Sequence, residues 1–420
     1  MLLGIGCAPE ERAVPENAIT IGAILPFTGK EAAIGRNLEQ ALLLAIDDVN
    51  EAGGVEGRPL VLVTRDSNSG SQRGFDELLQ LLYTDQVDYL IGPEETELAN
   101  AIVPDVKGLD VINVLPGYAA PSIEQTGNSG AWIRLAPSTG QLGCAMAKHV
   151  YRDGATTVNA LTTLDDYNSS LTSDFFSNFG TLTGESLPSV SAPAGASSYA
   201  RQIDQAFDYQ ADRTLLMAPA ASASTITTEW TIGGRRGAWY LSPLLRADVF
   251  LQNIPFGTLN GTQGLSPSLS LESECLETED PDVLVCSHAN ADRFSDHFAN
   301  HWNGDRPFPA ANFYYDAVVL LALGLASGYA DEGELLRGRA LRDHIRALGD
   351  EDAPPVTWHD LRGPFTEIRL GTEVRYVGAG AEYRFDKYGA AQYSIFDTWI
   401  INNDSFVDTG TLTAVCRHTI

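Results

Sequence analysis

The segment from Ile19 to Ser69 constrains the fold of this chain more than any other. It reads ITIGAILPFTGKEAAIGRNLEQALLLAIDDVNEAGGVEGRPLVLVTRDSNS. The apolar run Ile19 to Leu25 has strand character. A Pro-Phe-Thr-Gly loop follows it and leads into a helical pattern. There Ile34, Leu38, Ala41, Leu42, Ala45, Ile46 and Val49 recur at three- and four-residue spacing. Gly53-Gly54 stops this helix, because glycine enters the left-handed C-cap conformation at little cost. Leu60 to Thr64 reads as a second buried strand. Strand, crossover helix and strand make a right-handed βαβ unit, and with it a parallel sheet. Ligands of such sheets sit beyond the carboxyl ends of the strands. Those ends are Pro26–Gly29 and Asp66–Ser69.

The alternation continues. Phe75 to Tyr83 is predicted as a helix, Val87 to Ile91 as a strand, Thr96 to Lys107 as a helix and Val111 to Leu115 as a strand. A second α/β series opens at Val158 to Leu164, with the loop Asp165-Asp166-Tyr167-Asn168 and a helix from Ser169. A short strand at Leu187 to Val190 comes next, then a helix through Tyr199, Ile203 and Phe207. Arg213 to Ala218 and Ala238 to Leu241 are further strands, separated by a helix over Ala221 to Trp230. Helices at Phe294 to Trp302, Asn312 to Ala326 and Leu335 to Leu348 lie beyond them. The chain has 420 residues, too many for one ordinary core, so two domains are expected.

Several stretches resemble the periplasmic solute-binding proteins of the leucine/isoleucine/valine-binding type, which serve ABC transporters. In the first unit the likeness rests on Pro26, Thr28, Gly29, Asp47, Asn50, Gly53, Gly54, Gly57, Leu60 and Asp66. Trp132 to Pro137 (WIRLAP) is similar to the family's first crossing between lobes, and Gly261 to Leu269 to its second. ANFYYDAVVLLALGLA resembles the Y-D-A-V helix of the first lobe. Gly378, Gly380, Phe385, Asp386, Gly389 and Trp399 match the family's C-terminal pattern, with Gly380 displaced by one residue. The tail from Ser405 has no counterpart. The resemblance implies two doubly wound parallel-sheet lobes joined by three hinge crossings. Residues 18–137 with 263–378 would form lobe 1, and 138–262 with 379–420 lobe 2. Residues 1–17 would be a signal remnant and tether.

Composition narrows the partners. The formal net charge is −28, which repels nucleic-acid phosphates and anionic lipid. No run of 18 uncharged apolar residues occurs. Cys7, behind Gly6, is similar to the lipidated cysteine of a bacterial lipoprotein signal; an inert N-terminal cysteine is the alternative. Cys275 and Cys286 flank a polar acidic loop and are expected to form a disulfide in an exported chain. A ten-residue gap with no nearby Cys-x-x-Cys fits zinc poorly. Cys144 and Cys416 pair with each other or are simply buried; the sequence leaves both open.

Enzyme signatures are missing: there is no G-x-S-x-G, H-E-x-x-H, G-x-x-x-x-G-K-[ST] or post-strand G-x-G-x-x-G. No cofactor or metal is called for. His297 and His301, four apart on a helix, lack a third ligand and read as a solvated face. Asp165-Asp166 is a site candidate because it sits at a strand end. Thr96 opens a helix, where free N–H groups and a hydroxyl suit an anionic group. The resemblance places Thr96, Tyr167 and Tyr315 against the ligand. It also shows Ala119 where amino-acid binders carry Thr, and Leu244 where they often carry an acid for the ammonium; Glu94 or Glu95 are candidates to compensate. The expected lining is Thr28, Glu95, Thr96, Tyr118, Ala119, Asp166, Tyr167, Ala220, Leu244 and Tyr315. The function implied is a monomeric extracytoplasmic binder of a small acid, amide or amino-acid-like molecule that delivers it to an ABC permease. A ligand-sensing receptor of the same fold is the alternative.

Overall fold

The computed structural model describes residues 15–29, 32–70, 72–117, 130–308 and 310–414. Cys7, Tyr118, Ala119 and Cys416 lie outside these residues, and so do the roles expected of them.

The opening unit forms as its pattern dictates. β1 (Ile19–Leu25) and β2 (Leu60–Asp66) pair in parallel, from Ile19 opposite Leu60 to Leu25 opposite Asp66. They are joined by α1 (Ala32–Glu51). Leu38, Ala41, Leu42, Ala45 and Val49 are fully buried, and a leucine or valine so placed contributes roughly 1.5–3 kcal/mol. Gly54 takes φ +66°, and a Cβ there would lie 2.2 Å from the Arg58 carbonyl oxygen, so only glycine fits. The Asn50 side chain bonds both the N–H and the carbonyl of Leu60. The carboxyl end of α1 therefore lies at the amino edge of the sheet.

β3 (Tyr89–Ile91), β4 (Ile112–Leu115) and β5 (Trp132–Arg134) complete five parallel strands in the order β2-β1-β3-β4-β5. α2 (Gln72–Tyr83) follows β2. The single helix expected over Thr96 to Lys107 is two, α3 (Thr96–Ala101) and α4 (Val103–Leu109). Pro104 has no N–H to offer the Asn100 carbonyl, and its ring crowds that carbonyl, so the helix breaks at Ile102.

The second sheet is larger and mixed. After α5 (Thr139–Arg152) come β6 (Thr157–Thr163), α6 (Asp166–Thr181), β7 (Glu185–Ser186), β8 (Val190–Ala192), α7 (Ala200–Asp208), β9 (Arg213–Met217), α8 (Ala220–Ile232), β10 (Trp239–Leu241) and β11 (Gln263–Pro267). These strands are mutually parallel. The hairpin β12 (Cys275–Glu277) and β13 (Val283–Cys286) joins the same sheet antiparallel, through β16 (Ile395–Asn402) and β17 (Ser405–Thr413). The second lobe thus adds antiparallel strands at one edge of its parallel sheet. One expectation is corrected here: residues from 263 to the end of the Cys275–Cys286 hairpin belong to this sheet rather than to lobe 1, because β11 pairs with β10 and β16. The tail from Ser405 is β17. Its turn places Asn403 (φ 49°) and Asp404 (φ 53°) in the left-handed region, the two-residue turn that matches strand twist.

The chain then returns to the first lobe as α9 (Ala289–His301), α10 (Ala311–Glu332), α11 (Gly338–Ala347) and α12 (Arg362–Arg369). Here β14 (Pro355–Thr357) pairs with β15 (Arg375–Val377). α10 is long and apolar because it is a core helix, buried from Ala311 to Ala326 against α1 and its neighbours.

Three segments, 134–138, 268–274 and 389–394, join the lobes and run together. The Arg134 N–H donates to Gly389 and the Ala391 N–H donates back to Arg134. Arg384 donates twice to the Glu272 carboxylate, at 3.0 and 2.9 Å, and the Ser394 hydroxyl donates to Glu272 as well. A bidentate charged pair of this kind fixes geometry as well as adding energy.

Candidate ligand cleft

The carboxyl ends of the strands of both lobes face each other across the cleft. On the first lobe, Asp66 ties the ends of β1 and β2. Its Oδ1 accepts from the N–H groups of Phe27 and Asn68, at 3.0 and 2.9 Å, and its Oδ2 accepts from the Thr28 hydroxyl at 2.6 Å. Burial works against the Asp66 charge. The Thr28 hydroxyl and three backbone N–H groups outweigh it and hold the carboxyl below its ordinary value. Thr28 also accepts from Asn68 Nδ2, so its hydroxyl is committed to holding the loop.

Beyond β3 the loop carries Glu94 and Glu95. Glu95 is buried and accepts from the Ser67 hydroxyl. Glu94 Oε2 accepts from the Tyr314 hydroxyl at 2.7 Å. A Cβ on Gly117, at the end of β4, would come within 2.0 Å of the Glu94 carboxylate, so glycine leaves room for it there. Thr96 opens α3 and is buried. Two carboxylates precede it, so its surroundings are electrostatically poor for the anionic group expected there.

On the second lobe, Asp165 is a helix cap: its Oδ1 accepts from the Asn168 N–H at 2.9 Å. Asp166 reaches across the mouth, and its Oδ2 accepts from Asn100 Nδ2 of α3 at 3.1 Å. Tyr167 is buried and packs with the main core. Ala220 opens α8 half-buried, its carbonyl accepting from the Ser224 hydroxyl. Leu244 lies in the 3₁₀ turn Pro243–Leu245, half-buried against the core. Next to it the Ser242 hydroxyl is buried and has no hydrogen-bond partner among the described residues. A lone serine at a strand end carries no signal in the sequence.

Tyr315 is a correction. Its ring packs edge-on against Phe294 and Trp358, and its hydroxyl donates to Asp48 Oδ2 at 2.6 Å. Asp48 lies near the carboxyl end of α1, away from the cleft. Helical register turns the preceding residue, Tyr314, toward Glu94 instead. Adjacent tyrosines on a helix point about 100° apart, and the pattern could not say which faced the ligand.

His297 and His301 do share a helix face, but each meets a carboxylate of α1. His297 Nε2 lies 2.8 Å from Asp48 Oδ2, and His301 Nε2 lies 3.5 Å from Asp47 Oδ2. Among the described residues no three His, Cys, Asp or Glu side chains gather as metal ligands would. Cys275 and Cys286 are disulfide-bonded across the directly paired ends of β12 and β13. Cys144 is also disulfide-bonded.

Residues 18–366 match the family model described as periplasmic binding protein. The chain belongs to the periplasmic binding protein family. Among curated members it is 23% identical over 218 residues to the chemotactic signal transduction system substrate-binding protein BasB of Halobacterium salinarum, covering 50% of this chain and 52% of BasB. It is 27% identical over 135 residues to the Leu/Ile/Val-binding protein BraC3 of Rhizobium johnstonii, covering 32% and 36%. The chain thus spans about half the length of the first of these relatives and about a third of the second. Two solved structures share the fold. The leucine binding protein LivK of Thermotoga maritima has a TM-score of 0.75 at 19% identity, covering 94% of this chain and 99% of LivK. A solute binding protein of an R. palustris ABC transporter, in complex with benzoate, has 0.73 at 16%, covering 96% and 99%. This periplasmic binding protein therefore has the LivK-type fold over nearly its whole length.

Proposed function

We propose that the protein is an extracytoplasmic solute-binding protein. It captures a small molecule between its lobes, closes on it by bending at segments 134–138, 268–274 and 389–394, and delivers it as a monomer to an ABC permease. The observation that carries this reading is the contact across the mouth, Asn100 to Asp166. Two lobes hinged at one side and touching at the other form a trap. An anchor at Cys7 would keep such a protein at the membrane surface.

The ligand class is a small acid, amide or amino-acid-like molecule. Leu244 presents no charge to an ammonium, so an amino acid would rely on Glu94 or Glu95 in the facing lobe. Binding without catalysis is the reading throughout. A thermal-shift screen of a metabolite library tests it. Stabilisation by one such compound, with a smaller radius of gyration on saturation, supports the trap. A true cleft ligand that leaves the radius unchanged speaks against it.

The likeness to BasB, a component of a chemotactic system, favours a second reading as a ligand sensor. Deletion of the gene separates the two. Loss of uptake of the screened ligand marks transport, and loss of taxis with uptake intact marks sensing.

A further inference from the structure

A second cavity, of about 320 Å³, lies on the first lobe at the end opposite the cleft. It is bounded by the last turn of α1, by α9, by the segment after β14 and by the start of α12. Asn50 ties that end of α1 to the first residue of β2, so strand length separates this cavity from the ligand loops. Trp358 forms its floor and is 3% exposed.

Its walls hold two guanidiniums, Arg293 and Arg362. In a chain of net charge −28, neither of them makes an ion pair among the described residues. Arg293 Nη1 lies 3.4 Å from the His359 ring, and Arg362 Nη2 donates to the Glu51 carbonyl at 3.2 Å. Burial and the charge of Arg293 push the His359 imidazole below its ordinary value. Asp48, also on the wall, is engaged by Tyr315 and His297. Asp360 sits at the start of α12, where its Oδ1 accepts from the Gly363 N–H. With Glu51 the wall holds three carboxylates beside the two guanidiniums, which favours a monoanion over a polyanion.

The floor is connected to the hinge. Trp358 Nε1 donates to Asn290 Oδ1 at 2.9 Å. Asn290 is buried, and its Nδ2 donates to the Gly378 and Ala379 carbonyls, while its N–H donates to Glu274 at 2.8 Å. Glu274 ends the second crossing, and Gly378 and Ala379 lead toward the third.

We propose that this cavity is an effector site for a small organic monoanion, its carboxylate held between Arg293 and Arg362, and that occupancy acts on the crossings through Trp358 and Asn290. The proposal holds whatever the identity of the cleft ligand.

The test uses the full chain and benzoate as the probe, at constant ionic strength. Calorimetry should show saturable binding, weakened at least tenfold in the double variant Arg293→Gln, Arg362→Gln. Hydrogen exchange across residues 268–274 and 389–394 should change with benzoate in the wild type and not in the double variant. Absence of saturable binding overturns the site, as does binding whose affinity and stoichiometry are both unchanged in the double variant. Binding with no change in exchange at either crossing overturns the effector role.

Discussion

Asn100 on the first lobe and Asp166 on the second are joined by a hydrogen bond of 3.1 Å across the mouth of the cleft. Asn100 stands on α3, next to the helix break that Pro104 forces, and Asp166 is the first residue of α6, just beyond the Asp165 cap. Both positions follow from local rules of chain termination. Together they place a donor and a carboxylate where the lobes meet.

Replacing Asn100 by Ala should therefore weaken closure rather than folding. The contact is solvent-exposed, so the loss is that of an ordinary hydrogen bond rather than a charged one, about 0.5–1.5 kcal/mol. Calorimetry with the ligand found by thermal-shift screening should show affinity weaker by a few-fold to about tenfold, with the melting temperature of the free protein unchanged. Unaltered affinity would mean that this contact does not hold the closed state.

Asp316 gives a prediction about stability. Its buried carboxylate accepts four bonds, from the Tyr376 and Tyr383 hydroxyls and the Ala379 and Gly380 N–H groups, at 2.7–2.8 Å. Burial raises its pKa to about 6 against the pull of these donors. Asp316→Asn puts an NH₂ group against donors that need an acceptor. The expected cost is about 3–5 kcal/mol, visible as an early urea midpoint. Because a Cβ on Gly378 or Gly380 would also strike this carboxylate or Phe313, Gly380→Ala should destabilise the same loop.

Much of this was legible because it depends on periodicity and on backbone limits. The α1 face, the Gly53-Gly54 stop and the two α/β series follow from apolar spacing and from glycine's freedom at positive φ. The strand β17 was not, since its register depends on β16 across the sheet, although Asn403-Asp404 is a turn signal. The lobe boundary near residue 263 failed for the same reason: a crossing is defined by which sheet a strand joins, and that is a long-range fact. At the site, Thr28 lies in the expected loop and Asp166 opens α6 rather than lying in the loop before it, and their side chains are engaged with Asp66, Asn68 and Asn100. Sequence position gives the loop; it does not give the rotamer or its partner.

The His297–Asp48 contact predicts a pH dependence. The hydrogen bond to Asp48 raises the His297 pKa above its ordinary 6.5, against partial burial. A raised histidine binds its proton more tightly in the folded state. Its contribution is thus fully present below the unfolded value of about 6.5 and is lost as pH rises through the folded value. The side chain is 37% exposed, so the effect is discounted to under about 1 kcal/mol. Denaturation of His297→Gln and wild type at a series of pH values should show a gap that narrows toward alkaline pH. A gap constant with pH would remove the charge from the account.

The adjacent tyrosines of α10 give the sharpest separation of site from scaffold. Tyr314 donates to Glu94 in the cleft loop, and Tyr315 donates to Asp48 at the far end of α1. Each bond is to a carboxylate, so Tyr→Phe at either position should lose about 1.5–3 kcal/mol, but in different measurements. Tyr314→Phe removes this donor from the Glu94 carboxylate and should weaken affinity for the cleft ligand by roughly tenfold or more. Tyr315→Phe should leave that affinity unchanged and lower the urea midpoint instead, because its hydroxyl ties α10 to α1 inside the lobe. Calorimetry and denaturation on both variants form a two-by-two comparison. If affinity falls in Tyr315→Phe and not in Tyr314→Phe, the face of α10 turned toward the ligand has been assigned to the wrong tyrosine.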